Sequence, residues 1–333
     1  MKKIKIYFLV FYSIVSGFIN TTGNNFNTIF ELKKTIKLEQ TNLVYIGSVR
    51  QCLINKKNII ITDSKMHNIK IYTINGELLK IVGKKGQGPG EFKVPMGLTD
   101  YNHYILVSDI GNGRMNIFDK ESLNFLRSFT ILDGREIKVL NNKIYSSFVD
   151  FGTNTSLHIY NLDGKNIKNC IDIPKITIDN KLISDNTSFD FDSKGNVYFV
   201  NEMKYEVLKC DTNCNVIKLI QGKDSKYYRK PPSKPIEDIY SRKKIINWAN
   251  SWTHVLKILV LEKQQKLLLY TSDKKYGDML DIYSLSGKSL YKNIKTGMRL
   301  LCKDKEDNVY FLKQIMNGDS IEFIINKYEL KKH

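Results

Sequence analysis

A motif of alternating apolar residues recurs six times in this chain of 333 residues. The last position of the motif is aromatic in every copy except the fourth, where it is Cys210. The end positions are roughly 42 to 50 residues apart, with one longer gap, at Tyr72, Phe118, Tyr160, Cys210, Tyr283 and Tyr328. Short strands and tight turns flank each copy. A period of about 40 to 50 residues with four short strands is the size of one blade in a ring of β-sheets, because no single blade can bury both of its faces.

The turn that follows each motif supports the same interpretation. Asn75-Gly76, Asp163-Gly164 and Ser286-Gly287 occupy equivalent positions, and a two-residue hairpin needs the positive φ that Asn, Asp and Gly tolerate. In the fourth copy Cys214 stands in the glycine position. The sequence therefore predicts an all-β fold, a six-bladed β-propeller of four-stranded antiparallel blades.

The ends of the chain predict how the ring closes. Too few residues follow Tyr328 to form a fourth strand of the last blade, whereas residues 35–38 form a spare strand-like segment before the first blade. Pairing this N-terminal strand with the last blade removes exposed sheet edges. Residues 43–46 are then predicted to be the inner strand of the first blade.

The N-terminus has the pattern of a secretory signal peptide over residues 1–17. Lys2, Lys3 and Lys5 precede an apolar run that is too short to span a membrane, and small residues follow it. Position 18 is Phe18 where a lipoprotein would have cysteine. We therefore expect export to the periplasm or cell envelope without a lipid anchor, and a propeller over residues 35–333.

Charge and cysteine content leave alternatives open. The net charge of +18 is carried mostly by lysine, which is typical of a solvated basic surface; the alternative is attraction to an anionic envelope surface. Nucleic-acid binding would conflict with export. Cys210 and Cys214 could form a disulfide across their hairpin, or Cys210 could simply replace the core tyrosine.

Two segments interrupt the repeat. Residues 83–92 are glycine-rich but lack the ending of a phosphate-binding loop, so we interpret them as a connector with Phe92 and Pro95 between blades. Residues 227–252 form an insertion between blades four and five, with a predicted helix. Such long excursions within compact domains are usually functional.

Both segments should lie on one face of the ring, because connectors from outer to inner strands emerge beside the loops between second and third strands. The predicted ligand-binding residues on this face are Arg229, Arg242, Trp248, Trp252, Asp63, Asp109 and Asn201. The two aspartates and Asn201 recur at the ends of strands, where a side chain often accepts backbone N–H groups of the next turn. A structural role for these three is the alternative to ligand binding.

The blade motif, together with the single Gly-Gln-Gly-Pro-Gly-Glu-Phe segment, resembles exported bacterial six-bladed β-propeller proteins related to NHL-repeat and TolB-like propellers. The resemblance covers about residues 35 to 330. It implies this fold but not one activity, because those families include protein-binding scaffolds, lyases and lactone hydrolases.

Two functions follow as hypotheses. The first is a non-enzymatic, monomeric binding or scaffold module of the cell envelope that recognises a peptide, protein or glycan. The second is a metal-dependent lactone hydrolase or lyase with Ca²⁺ or Zn²⁺ at the channel mouth. We predict the first, with no catalytic residue and no cofactor; Ca²⁺ held by the strand-end carboxylates is the alternative.

Overall fold

Six four-stranded antiparallel sheets form the part of the chain that this computed structural model describes, namely residues 26–41, 43–173, 186–222, 227–233, 241–318 and 320–331. The predicted signal peptide lies outside these residues. The described part begins with a short helix α1 (Phe26–Ile29) and strand β1 (Phe30–Lys37). Six-bladed propeller architecture is thereby confirmed.

The first three blades follow in chain order, each from its inner to its outer strand. Blade one contains β2 (Val49–Ile54), β3 (Asn58–Asp63), β4 (Asn68–Thr73) and β5 (Leu78–Val82). Blade two contains β6 (Pro95–Tyr101), β7 (Tyr104–Asp109), β8 (Arg114–Asp119) and β9 (Phe125–Thr130). Blade three contains β10 (Glu136–Leu140), β11 (Lys143–Asp150), β12 (Thr155–Asn161) and β13 (Asn166–Asp172).

The remaining blades include the insertion and the closure. Blade four contains β14 (Thr187–Phe191), β15 (Val197–Asn201), β16 (Glu206–Cys210) and β17 (Val216–Gln221). The insertion carries helix α2 (Arg242–Ala249) and leads to blade five, with β18 (His254–Leu261), β19 (Lys266–Asp273), β20 (Gly277–Ser284) and β21 (Ser289–Lys295). Blade six contains β22 (Arg299–Lys303), β23 (Val309–Asn317) and β24 (Ser320–Leu330).

The N-terminal strand completes blade six, as predicted. β1 pairs antiparallel with β24 from Phe30 opposite Leu330 to Lys37 opposite Ile324. The closing strand is longer than predicted, since it begins at Phe30. Phe26 and Phe30 extend the core beyond it, because both rings pack against Phe311.

The predicted inner strand of blade one was wrong. Residues 43–46 belong to no strand, and Leu43 is 92% exposed. Thr41 and Val44 instead exchange backbone hydrogen bonds in a turn. The inner strand is β2, which starts at Val49, because only there does the apolar alternation face the neighbouring blades.

The six repeated anchor positions are core. Tyr72, Phe118, Tyr160, Cys210, Tyr283 and Tyr328 are all buried. The glycines of the following turns have positive φ, and a Cβ on Gly164 would lie 2.2 Å from the Phe129 ring of the preceding blade. These turns therefore pack directly under the outer strand of the neighbouring blade, which explains why the repeat keeps glycine there.

The disulfide hypothesis for Cys210 and Cys214 was wrong. Cys214 has a positive φ at the turn, and its side chain reaches the outer strand of blade three, where it is bonded to Cys170. Cys210 is a buried, free thiol in the core between blades. The bridge thus links blades three and four at the position where other blades have glycine.

A basic belt, defined as Lys34, Lys80, Arg127, Lys168 and Lys218, explains part of the lysine excess. Each belt residue lies on an outer strand and donates to the hairpin turn of the next blade. Lys80 Nζ, for example, lies 2.8 Å from Ser122 O, and Lys168 Nζ lies 2.6 Å from Asn213 O. The other three bonds join Arg127 to Leu162 O, Lys218 to Ser286 O and Lys34 to Asn75 Oδ1. These cations therefore connect blades in addition to facing solvent.

Candidate functional site

The loop face, defined as the side of the ring that carries the outer-to-inner connectors and the loops between second and third strands, holds the insertion. A bidentate ion pair anchors the insertion to blade five: Arg229 Nε and Nη2 lie 3.0 and 2.8 Å from the two carboxylate oxygens of Asp273. Arg229 Nη2 also donates to Asn250 O just after α2, and Thr253 Oγ1 donates to the same carboxylate. Because Asp273 is buried, this pair fixes both ends of the insertion to one point.

His254 forms a second anchor at the start of β18. Its Nδ1 lies 2.5 Å from Glu202 Oε1, and its Nε2 lies 2.7 Å from Ala249 O at the end of α2. Both partners are hydrogen-bond acceptors, so satisfying both requires the doubly protonated imidazolium. Burial opposes this charge, but the hydrogen bond and charge of Glu202 outweigh it and raise the pKa of His254.

This anchor predicts a pH-dependent fluorescence signal. The only two tryptophans of the chain are Trp248 and Trp252, and the Trp252 ring lies 3.8 Å from the His254 ring. An imidazolium quenches indole emission in contact with it. We expect tryptophan fluorescence to rise as the pH increases, with a midpoint above the usual histidine value of about 6.5.

The raised pKa of His254 also determines how the stability of the folded protein depends on pH. The contribution of the charged pair is complete below the unfolded pKa and is lost as pH rises through the folded pKa. His254→Gln should abolish the fluorescence step, whereas His103→Gln, on the opposite face, should leave it intact. A step that persists in His254→Gln would contradict this assignment.

Beside the insertion lies a tyrosine–lysine cluster, defined as Tyr205, Tyr227, Tyr228, Tyr276, Lys275 and Lys295. Tyr205 and Tyr228 stack with ring centroids 4.6 Å apart, and Tyr227 meets Tyr276 edge-on at 5.3 Å. Lys275 Nζ lies 5.0 Å from the centroid of Tyr276, and Lys295 Nζ lies 5.9 Å from that of Tyr227. The cluster joins blades four and five and combines aromatic surface with positive charge.

A small crevice of about 10 Å³, room for about one water molecule, lies within this cluster. Tyr205, Tyr227 and Tyr228 line it, and Asp281 and Asn293 lie at its base. Tyr205 Oη donates to Asp281 Oδ2, and Asn293 N donates to Asp281 Oδ1. Burial raises the pKa of Asp281, although the Asn293 hydrogen bond opposes this shift.

Charged side chains cross the central channel in two layers. In the first, Lys257 of blade five lies 3.1 Å from Glu136 of blade three and 3.2 Å from Gln51 of blade one. In the second, Asp190 of blade four accepts Lys138 of blade three at 2.8 Å and lies 3.4 Å from Lys303 of blade six. Paired side chains from all blades except the second therefore meet across the channel.

Asp190 is the centre of the second layer. Its Oδ2 also accepts Val260 N at 2.8 Å, and the residue is only 4% exposed. Burial alone would raise the pKa of Asp190, but Lys138 and Lys303 lower it well below its usual range. The same contacts raise the pKa of Lys138 against the effect of burial.

The predicted acidic site residues hold turns. Asp63 is buried and accepts Gly47 N at 2.8 Å, Ser48 N at 2.9 Å and Lys70 Nζ at 2.7 Å. Asp109 binds the backbone N–H groups of Lys93 and Val94 in the same way in blade two. Both carboxylates thus connect the end of a second strand to the connector that enters their own blade.

The other predicted residues gather near the insertion. Arg229 is bound to Asp273, Trp252 is fully buried, and Trp248 meets it edge-on at 5.7 Å. Asn201 accepts Met203 N and precedes Glu202. The side chain of Arg242 lies outside the described part of the structure. The ligand-binding role of the seven residues stays a prediction, and Asp63 and Asp109 lie in blades one and two, apart from the insertion.

The connector interpretation of the glycine-rich segment agrees with its contacts. Phe92 is fully buried and its ring lies 5.9 Å from Phe118. Arg114 donates to the carbonyl oxygens of Gln87, Gly88 and Glu91. These backbone oxygens are consequently bound to a cation of blade two.

Sequence reasoning missed Asp273, Glu202, His254 and the channel residues. Asp273 could have been recognised in the sequence, because Ser272-Asp273 repeats the Ser/Thr-Asp ending of β3 and β7. It lies one residue farther from its anchor, Tyr283, than the aspartates of those strands lie from theirs. Charged residues inside apolar inner strands, such as Lys257 and Asp190, were the signal for the channel. His254 and Glu202 are 52 positions apart, and nothing local relates them.

The described residues contain neither a metal-binding cluster nor a membrane-spanning helix. No group of three or more His, Cys, Asp and Glu side chains there is arranged to hold a metal ion. No helix within those ranges is long and apolar enough to cross a membrane. Neither finding decides between the binding and metal-dependent hypotheses.

Comparison with solved structures shows similarity over nearly the whole chain. A Bacteroides fragilis protein named as exported is 14% identical, with a TM-score of 0.64 and coverage of 93% of this chain and 98% of that one. A member of the duf4221 family from Bacteroides vulgatus is 11% identical, with a TM-score of 0.67 and coverage of 92% and 99%.

A third similar structure is an enzyme. Catalytically inactive virginiamycin B lyase from Staphylococcus aureus, with quinupristin, is 10% identical, with a TM-score of 0.52 and coverage of 83% and 80%. At these identities the likeness shows the fold alone. None of the curated proteins compared matches the sequence.

The sequence itself carries the family relationship. Residues 12–202, more than half of the chain, match the sequence model of the DUF5128 family, which is described as a 6-bladed beta-propeller. The six sheets and their closure by β1 agree with that description. The finer relation to NHL-repeat and TolB-like propellers stays a prediction. The chain belongs to the DUF5128 family of six-bladed β-propellers.

Proposed function

We propose that this protein is an exported, non-enzymatic binding module of the cell envelope that takes an acidic glycan at the tyrosine–lysine cluster of its loop face. The observation that carries this proposal is the placement of Lys275 and Lys295 over the rings of Tyr276 and Tyr227, beside the stacked rings of Tyr205 and Tyr228. Tyrosine rings offer flat apolar area to the C–H face of a sugar, and the ammonium groups attract a carboxylate on it.

The rigidity of the surroundings supports recognition at this place. Arg229, Thr253 and His254 fix the insertion to buried acidic groups, so the crevice wall formed by Tyr227 and Tyr228 is held in position. Binding sites are typically loops positioned by a rigid scaffold.

Three observations support export. The N-terminus has a signal-peptide pattern, a similar solved protein is named as exported, and Cys170 is bonded to Cys214. Disulfides persist mainly in oxidising compartments. We further propose that the protein is monomeric and, since Phe18 replaces the lipoprotein cysteine, is not lipid-anchored.

The test is binding of the mature protein to an array of acidic and neutral oligosaccharides and of acidic and basic peptides. We expect acidic oligosaccharides to bind, and Lys275→Ala with Tyr276→Ala to weaken binding at least roughly tenfold. Lys56→Ala, an exposed lysine on the opposite face, is the matched control and should bind normally.

Each other outcome counts against the proposal. Binding of acidic peptides alone would indicate that the ligand is a protein. Equal binding by the Lys275→Ala, Tyr276→Ala variant and by the Lys56→Ala control would indicate a binding site elsewhere on the protein. A chelator-sensitive loss of binding would favour the metal-dependent alternative. No binding to any acidic oligosaccharide contradicts the glycan proposal.

A further inference from the structure

Two free thiols lie in one apolar cluster at the seam where the ring closes. Cys52 lies on β2 of the first blade and Cys302 on β22 of the last blade, and both are inner strands. Cys52 is 6% exposed, and half-buried Cys302 packs against the same apolar cluster. Leu301 and Tyr310 of blade six belong to that cluster, together with Ile54 of blade one.

Side-chain hydrogen bonds connect the two strands near the cysteines. Arg299 at the start of β22 donates to Val49 O and Arg50 O of β2, both at 2.8 Å. Inner strands of a propeller run in the same direction, and Cys302 and Cys52 lie three residues beyond Arg299 and Val49 on their strands. The neighbouring Cys302 thiol is the largest cause that raises the pKa of the Cys52 thiol.

We propose that Cys52 and Cys302 form a second disulfide, which covalently joins the first and last blades of the exported protein. The proposal accounts for the odd number of five cysteines. Cys170 and Cys214 form one bridge, Cys52 and Cys302 the other, and Cys210 is the leftover thiol buried in the core.

Exposure determines the order of the exchange steps. With a small-molecule disulfide such as oxidised glutathione as the oxidant, the half-buried Cys302 thiolate attacks one sulfur and releases one glutathione thiolate. Cys52 then loses its proton and attacks the Cys302 sulfur of the mixed disulfide, which releases the second glutathione. Two protein thiols are oxidised by two electrons, and one disulfide is reduced to two thiols.

The bridge would close the ring at its axis, whereas β1 closes it at the rim. It joins residues that are 250 positions apart, so it restricts the unfolded chain strongly. The inner end of the seam would then stay joined even if β1 detached from β24.

The first test is a thiol count and peptide map of the full mature chain after incubation with oxidised glutathione, denaturation and alkylation. We expect one alkylated cysteine, Cys210, and a linked peptide pair that contains Cys52 and Cys302. Alkylation of both Cys52 and Cys302 while Cys170 and Cys214 remain linked would overturn the proposal.

The second test compares the melting temperatures of the wild type and of cysteine variants. Oxidation should raise the Tm of the wild type by roughly 5 to 10 °C more than that of Cys52→Ser with Cys302→Ser. The matched control, Cys210→Ser, should keep the full shift on oxidation. An equal shift in Tm for the wild type and for the variant with both Cys52→Ser and Cys302→Ser would contradict a stabilising bridge. If that variant does not fold, the peptide map of the wild type alone tests the proposal.

Discussion

Replacing Asp190 with asparagine will lower the free energy of unfolding by about 3–5 kcal/mol, because the change removes the carboxylate charge that pairs with both Lys138 and Lys303 in the channel. Urea unfolding of both proteins at pH 7 measures the difference. The matched control is Asp163→Asn, whose side chain is 83% exposed. A surface change of this kind should alter stability by less than about 0.5 kcal/mol.

The loss of stability caused by Asp190→Asn should be smaller when Lys138 and Lys303 are replaced as well. Adding Lys138→Met and Lys303→Met to Asp190→Asn should restore part of the lost stability, since buried ion pairs are often replaceable by apolar groups of similar size. If Asp190→Asn were as stable as the wild type, the second channel layer would have no structural role.

The pH dependence of this penalty has a definite sign. The pKa of Asp190 is lowered in the folded protein, so its contribution is present above the unfolded value of about 3.9 and is lost as pH falls through the folded pKa. The stability difference between wild type and Asp190→Asn should therefore be constant from about pH 5 to 7 and shrink below about pH 4. A difference that grows with acid would contradict the assigned pairing.

Loss of the closing strand will have the second large effect. Phe30 is 1% exposed and stacks on Phe26 with ring centroids 4.8 Å apart. Phe30→Ala should destabilise the protein by about 3–5 kcal/mol through the cavity it leaves. Leu32→Ala on the same strand is the control, because Leu32 is 51% exposed and its loss should change stability little.

Removal of residues 1–38 is a more severe test of ring closure by β1 than Phe30→Ala. The truncated chain leaves the edge of β24 and the core around Phe311 open, so we expect loss of the cooperative unfolding transition measured by circular dichroism. A peptide of residues 26–40 added in trans should restore part of it. A truncated chain that unfolds cooperatively with wild-type stability would show that β1 is dispensable.

The blades could be predicted from sequence because their signals are local. A hairpin turn such as Asn75-Gly76 specifies its own register, and burial of an anchor such as Tyr72 follows from alternation within one strand. Closure by an N-terminal strand followed from counting strands. The interpretation failed at residues 43–46, where alternation is present but no strand pairs with it.

The site was less accessible to the same reasoning. The insertion was visible as a break in the repeat, but its contacts depend on residues far apart in the chain. The sequence placed Arg229 on the loop face, but the carboxylate that it pairs with there, Asp273, lies 44 positions away in blade five. Cys214 shows the same limit, because its partner Cys170 belongs to the preceding blade and not to its own hairpin.

The central functional claim is that ligand contacts are confined to the loop face beside the insertion. Hydrogen–deuterium exchange of the mature protein, with and without the tightest-binding acidic oligosaccharide of the array, tests it most directly. We expect slower exchange in residues 203–206, 227–229 and 274–277, and no change in the hairpins of the opposite face, such as residues 55–57. Protection confined to the opposite face would contradict the account.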